Sequence, residues 1–276
     1  MSLATMPREM GTLGKDVAAV VAQQMGKSLI HHEIVENIAN KMRLRQSHVV
    51  RFLEGKASLL DKMTTDETSL SIYTADEIFR LAESGDVGVI RGWGATHLLD
   101  SVPHVLHVRV CAPEDTRIRR MMTRLDSSDR GAVEKEIRSA DETLTAIARR
   151  HFNINWKDAE HYDLVLNTGR VGVDECAAAI LHMLKQPAFQ ETADSAQKLR
   201  DLALQAHVRA ALRQDTRTKK LNITVRSAAG HVTLVGVIEN DVEHKSATEV
   251  TATVPGVGKV TNNLNGERRE FRRMGG

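Results

Sequence analysis

Residues 8–15, REMGTLGK, place small residues and a lysine where an apolar segment gives way to an amphipathic one. Curling a backbone around an anion needs glycines, holding β- and γ-phosphate oxygens needs a cation, and a helix N-terminus aimed at the charge adds its dipole. Gly11, Gly14 and Lys15 supply these parts, and Thr12, Leu13 and Asp16 complete the turn. The full phosphate-loop pattern is Gly, four residues, Gly-Lys, then Ser or Thr. Here Arg8 or Glu9 stands at the first glycine position and Asp16 at the hydroxyl position. An ordinary glycine-containing strand-to-helix turn is the competing reading. A second group is basic: helix geometry puts Arg117, Arg120 and Arg124 on one face and Arg119 off it, with Arg138, Arg149 and Arg150 beyond. Six acidic residues between 126 and 142 leave a solvated basic face as the alternative. The pairs His31/His32 and His104/His107 do not make a metal site, because neighbours diverge and a spacing of three on a strand points to opposite faces. Cys111 and Cys176 are too few for a zinc site or a disulfide framework, and Cys111 reads as a core residue.

These groups need elements to position them. Residues 2–6 read as a strand entering the loop, and Val17, Val20, Val21 and Gln24 keep helical spacing up to Gly26. Residues 33–44 repeat the pattern through Ile34, Ile38 and Met42. Thr74 and Glu77 form a capping box, with Tyr73 and Ile78 as a hydrophobic staple, so a helix is expected to start near Ala75 and end at Gly85 and Asp86. VGVI at 87–90 reads as a buried strand before the Gly92/Gly94 turn, and HVLHVRV at 104–110 as a strand stopped by Pro113. Glu114 to Phe152 is helical with a break near Ser127–Asp129, YDLVLNT at 162–168 is a strand, and Val173 to Leu184 is a helix. Strands separated by helices predict an α/β fold with a parallel sheet covered on both faces.

At ~150 residues per domain, a chain of 276 residues holds about two. The texture changes at QPAFQETADSAQ, 186–197, which is polar and turn-rich. We therefore expect a first domain at 1–187, a linker at 188–197, a small α+β unit at 198–265 and a disordered basic tail at 266–276. Within the second unit the expected order is helix 198–213, strand 221–227, strand 231–238, helix 241–253, strand 257–264. Charge changes sign across the linker: 24 basic against 28 acidic side chains over 1–195, and 14 against 8 over 196–276. The whole-chain balance of 38 to 36 argues against a nucleic-acid binder, and 3% aromatic residues require an aliphatic core. The start, MSLATMPREMG, lacks a signal-peptide core, and VAAVVA at 17–22 falls far short of the ~20 residues that span a bilayer, so the expectation is a cytoplasmic protein with no transmembrane segment.

Taken in order, REMGTLGKDVA, IRGWGA at 90–95, VRVCAPEDTRIRRM at 108–121, the stretch from Asp141 to Phe152, and YDLVLNT resemble the cytidylate kinase-like family over residues 1 to about 185. The resemblance implies a bacterial-type nucleoside monophosphate kinase with a P-loop core, ATP and Mg²⁺ as donor, and CMP or dCMP as acceptor. It implies that Lys15 and the amides of residues 11–16 hold the β- and γ-phosphates, with Asp16 where a hydroxyl meets Mg²⁺. In Gly92-Trp93-Gly94 the acceptor-phosphate arginine is replaced; Arg91 stands in for it, and Trp93 stacks on a base or fills the sheet edge. Lys15, Arg120, Arg149 and Arg150 take catalytic places, while Arg117, Arg124, Arg138 and Asp141 line the acceptor side of an arginine-bearing lid. The lid's Asp-x-x-Arg reads Asp141-Glu142-Thr143-Leu144. Asn167 and Thr168 fall near the adenine. Asp16, Trp93 and Leu144 favour the alternative of a degenerate nucleotide-binding sensor; Lys15 and the arginines favour an enzyme. Residues 199–264 resemble a BON domain through Gly230 to Gly236 and Val254-Pro255-Gly256-Val257. That resemblance implies a binding module, for anionic lipid, self-association or regulation, and no nucleic acid.

Overall fold

A computed structural model describes residues 2–7, 9–30, 33–53, 66–92 and 94–266. Arg8, His31, His32, Trp93 and the tail from 267 lie outside the described residues, and so do the readings placed on them. The chain divides into two compact units, 1–196 and 197–276.

The first unit contains β1 (Leu3–Met6), α1 (Gly14–Met25), β2 (Ser28–Ile30), α2 (Glu33–Met42), α3 (Gln46–Leu53), α4 (Glu67–Glu83), β3 (Val87–Arg91), α5 (Ala95–Leu98), β4 (Val105–Cys111), α6 (Glu114–Leu125), α7 (Arg130–Phe152), β5 (Leu164–Asn167) and α8 (Val173–Leu184). The strands form one parallel sheet in the order β2-β3-β1-β4-β5, with Ala4 paired to Val89 on one side and Leu106 on the other. All four residues of β1 are buried, as a central strand covered on both faces requires. Val17, Ala18 and Val21 of α1 and Cys176, Ala177 and Ile180 of α8 pack with Ala4, Val89, Leu106 and Val108 into one aliphatic core. This topology carries the β1–α1 turn to the C-terminal edge of the sheet, where α/β folds collect ligands.

Three local differences from the sequence reading have physical causes. α4 starts at Glu67, capped by Asp66, whose carboxylate accepts from the Thr68 and Ser69 amides. Thr74 is inside that helix and donates to the Leu70 carbonyl, while the buried Glu77 accepts from Asn37 at 2.7 Å and pairs with Arg80. A capping-box spelling can thus sit mid-helix when threonine bonds back one turn. Second, the three residues of β2 are too short to show a period. Third, the polar stretch 188–197 is not a free tether: Phe189 packs into the aliphatic core, and Ser195 Oγ lies 2.9 Å from Nδ1 of the buried His104. Thr192 and Ser195 exchange side-chain-to-amide hydrogen bonds and begin α9 (Ala193–Gln214), earlier than its apolar spacing indicates. The break between α6 and α7 falls where expected: Asp126 takes a left-handed conformation and Asp129 caps the Ala132 amide at 2.9 Å.

In the second unit, β6 (Ile223–Ala228), β7 (His231–Ile238), α10 (Asp241–Ala252) and β8 (Lys259–Gly266) follow α9. β6 and β7 are an antiparallel hairpin turned by Ala229 and Gly230, both at positive φ, and β8 adds parallel to β7. Val208, Val225, Val232, Leu234, Ala247 and Leu264 form its separate core. Among the described residues no helix is long and apolar enough to cross a membrane. Gly236 is the tight point of the hairpin, since a Cβ there would lie 2.6 Å from the Asn222 carbonyl oxygen. Gly236→Ala should therefore destabilise this unit by ~1–3 kcal/mol, the usual cost of overpacking. Hydrogen exchange should then accelerate in β6–β8 and not in β1–β5; unchanged exchange in β6–β8 would contradict the contact.

Candidate functional site

The turn between β1 and α1 is built inside out. Its carbonyls are fastened from behind, one after another. Glu9 O accepts from Thr12 Oγ1 at 2.9 Å, Met10 O from Arg117 Nε at 2.6 Å, and Gly11 O from Arg120 Nη1 at 3.4 Å. Thr12 O accepts from Thr168 Oγ1 at 2.7 Å, and Leu13 O from the Val17 amide at 3.0 Å. Turning the carbonyls outward aims the amides the other way. Among the described residues none accepts from the amides of Gly11, Thr12, Leu13, Lys15 or Asp16; that of Gly14 reaches Thr12 Oγ1 at 3.3 Å. Gly11 at φ 76° and Leu13 at φ 58° provide the left-handed bends, and α1 begins directly after. Successive free amides at a helix N-terminus form an anion-binding concavity. Gly11 has a second reason to lack a side chain, because a Cβ would meet the Arg117 carbonyl oxygen at 2.8 Å. Lys15 and Asp16 are exposed in the first turn of α1.

The arginines do not gather into one lid. Arg117 is buried; its two Nη atoms fork onto Asp141 at 2.9 and 2.7 Å, and Nη1 lies 3.5 Å from Glu9. Arg120 bonds the Thr168 hydroxyl at 3.0 Å and its carbonyl at 2.9 Å. Both therefore brace the turn on its carbonyl side. Arg138 pairs with Glu134 and Glu114, and Arg150 with Glu67 of α4. Arg124 and Arg149 are exposed and make no ion pair among the described residues. Thr168, expected near a base, is buried and spends its proton on Thr12 O, while Asn167 Oδ1 accepts from the Gly169 amide. Arg91 is buried at the end of β3, and Gly94, at φ 75°, leaves 3.1 Å between a would-be Cβ and the Phe152 ring.

Sequence reasoning missed the partners of Arg117. Glu9 is buried and also 3.2 Å from Arg109 Nε; Arg109 donates to the Lys157 carbonyl at 2.6 Å, and Lys157 Nζ donates to Asp141 at 3.2 Å. Arg109 and Lys157 both stand over the Trp156 ring, at 5.1 and 5.3 Å. Glu9, Arg117, Asp141 and Lys157 border a cleft of about 400 Å³ that also receives Glu114 and Arg138. Burial pushes the Glu9 carboxyl up despite Arg109 and Arg117. Burial would also raise Asp141, but the Arg117 fork and Lys157 more than offset it and hold that carboxyl below its ordinary value. Tyr162, which donates to the Trp156 carbonyl at 2.6 Å, is pushed up to about 12 by burial. The one signal for this ring was charge in or just after otherwise apolar strands: Arg109 in β4, and Glu9 three residues past the end of β1.

His97 of α5 lies against Phe152, with ring centroids 4.9 Å apart, and meets His161 edge-on. Burial first, then the neighbouring His161, lowers it from 6.5 to about 4, and burial lowers His104 and His107 as well. Between those values the unfolded chain binds more protons than the folded one, so stability is complete above pH 6.5 and is lost as pH falls toward 4. Thermal melts should show that decline, and His97→Gln should flatten part of it; an unaltered slope would remove His97 as a source.

A family model described as the cytidylate kinase-like family matches residues 4–170, and one described as the BON domain matches 200–267. No curated protein matches the chain. Among solved structures, an uncharacterized protein from Eubacterium ventriosum superposes with a TM-score of 0.53 at 19% identity, covering 67% of this chain and 99% of that one. Shikimate kinase from Acinetobacter baumannii in complex with shikimate aligns at a TM-score of 0.41 and 12% identity, over 67% of this chain and 93% of that one. The five-stranded parallel sheet with its amide-lined turn and the family match over more than half the length agree: the chain belongs to the cytidylate kinase-like family and carries a BON domain after it.

Proposed function

We propose that the first unit is a phosphotransferase that takes ATP with Mg²⁺ as donor and CMP or dCMP as acceptor. One observation supports the donor half: five consecutive carbonyls are tied, which leaves the amides of Gly11, Thr12, Leu13, Lys15 and Asp16 without acceptors among the described residues. That arrangement fits a triphosphate, whose transfer needs positioning and charge neutralisation rather than covalent help. Lys15, exposed one residue into α1, would meet the β- and γ-oxygens, and Asp16 would hold Mg²⁺. When bound, the metal would neutralise charge on the transferring group. Like Lys15, the exposed Arg124 and Arg149 make no ion pair among the described residues, and they would serve as acceptor-side and catalytic cations respectively. The BON domain would act beside it as a binding module for regulation, anionic lipid or self-association.

A second reading, nucleotide binding without turnover, is favoured by Leu13 and Asp16. A leucine at φ 58° is strained by ~1–2 kcal/mol at a position that suits glycine, and a carboxylate in the first turn of the helix repels phosphate. An ADP-release assay across all monophosphates, with and without Mg²⁺, separates the readings. Release with CMP or dCMP supports the enzyme; ATP binding without release supports the sensor.

Two substitutions test the loop itself. Lys15→Ala should weaken ATP binding about tenfold or more while leaving the melting temperature in place, because its side chain is exposed. Equal affinity in calorimetry would remove the phosphate-loop assignment. Leu13→Gly should tighten pyrophosphate binding severalfold; looser binding would mean that Leu13 contributes a contact of its own.

A further inference from the structure

The Arg117 guanidinium is planar, so fixing its two Nη atoms fixes the direction of Nε. Asp141 takes both Nη atoms at 2.9 and 2.7 Å, and Nε then falls 2.6 Å from the Met10 carbonyl. We infer that Asp141 is a positioning residue, which shapes the phosphate-facing amides of the β1–α1 turn through Arg117 rather than by touching a ligand. The inference rests on the reading of that turn as the phosphate site.

Three features support the relay. Both Asp141 oxygens already receive donors, Oδ1 from Arg117 and Oδ2 from Arg117 and Lys157, which leaves the carboxylate poorly placed to bind an acceptor. Glu9 stands ready as the competing partner, its Oε1 3.5 Å from Arg117 Nη1. Without Asp141 the guanidinium would swing toward Glu9 and draw Nε off Met10. Finally, Gly11 packs directly on the backbone of Arg117, so a shift of that residue is passed to the turn without slack. Lys157, half-exposed, reaches Asp141 Oδ2 and takes no part in the Arg117 fork.

The test uses the full chain, with ligand-free amide chemical shifts of Gly11–Asp16 and calorimetry with inorganic pyrophosphate. Asp141→Asn should move those amide shifts and weaken pyrophosphate about tenfold, the size of one charge-assisted hydrogen bond. Arg117→Lys keeps a cation for Asp141 but has no Nε donor, and should do the same. Lys157→Met should leave both readouts within about twofold of wild type. Asp141→Glu, which keeps the charge and moves the carboxylate by one methylene, is the second variant if Asp141→Asn does not fold; it should shift the same amides by less. Unmoved amide shifts in Asp141→Asn or Asp141→Glu, or an equal effect from Lys157→Met, would overturn the relay. If wild type itself does not bind pyrophosphate, the phosphate-site reading fails, and the amide shifts still decide the relay.

Discussion

The contact between Arg117 Nε and the Met10 carbonyl ties the middle of the β1–α1 turn to α6, and the arrangement of that turn depends on contacts of this kind. A backbone turn cannot aim five amides at one point unless its carbonyls are satisfied elsewhere, because each buried carbonyl left alone costs ~1–3 kcal/mol. Thr12 meets that requirement from within the turn, Arg117 and Arg120 from α6, and Thr168 from the segment after β5. Burying Arg117 then demands an anion. Asp141 and Glu9 supply two, and Arg109 and Lys157 return the balance over the Trp156 face. The ring is better regarded as a device for geometry than for stability, since buried ion pairs roughly repay their own desolvation.

The second unit is organised on other terms. Its sheet hides Val225, Val232, Leu234 and Leu264 beneath its helices, and leaves Val235 and Val237 exposed on the outward side of β7. Among the described residues no ionic ring recurs there; ion pairs such as Arg217 with Asp215 and Glu249 are on the surface, where they contribute little. Polar cohesion instead runs through Asn262, which reaches the His244 carbonyl and Thr248.

What could be read beforehand was what is local. Gly11, Gly14 and Lys15 announce a turn before a helix, and the break between α6 and α7 is written in Ser127–Asp129, of which Asp129 is the cap. The arginines were visible as a group but not as individuals. Whether Arg117 faces a ligand, a carboxylate or water is decided by Asp141, Glu9 and Met10, which helical spacing on α6 cannot see. Likewise Thr74-x-x-Glu77 has a helix-start spelling, and only Asp66 upstream and Asn37 across the bundle reveal a mid-helix position. Pro187 and the polar residues after it suggested a tether; the core place of Phe189 depends on packing that composition does not record.

The tethers of the β1–α1 turn come late in the chain: Arg117 is 107 residues beyond Met10, Arg120 is 109 beyond Gly11, and Thr168 is 156 beyond Thr12. During synthesis from the N-terminus, residues 9–16 leave the ribosome long before Arg117, Arg120 or Thr168 exists to hold the carbonyls of Met10, Gly11 and Thr12. At about 5–20 residues per second, the interval before Thr168 emerges is on the order of ten seconds or more. A nascent chain therefore carries this segment without its concavity, and the closure entropy of three long loops must be met before the amides converge. On the proposed reading of this turn, anion affinity would be a late property of this chain, acquired only when nearly the whole first unit has been made.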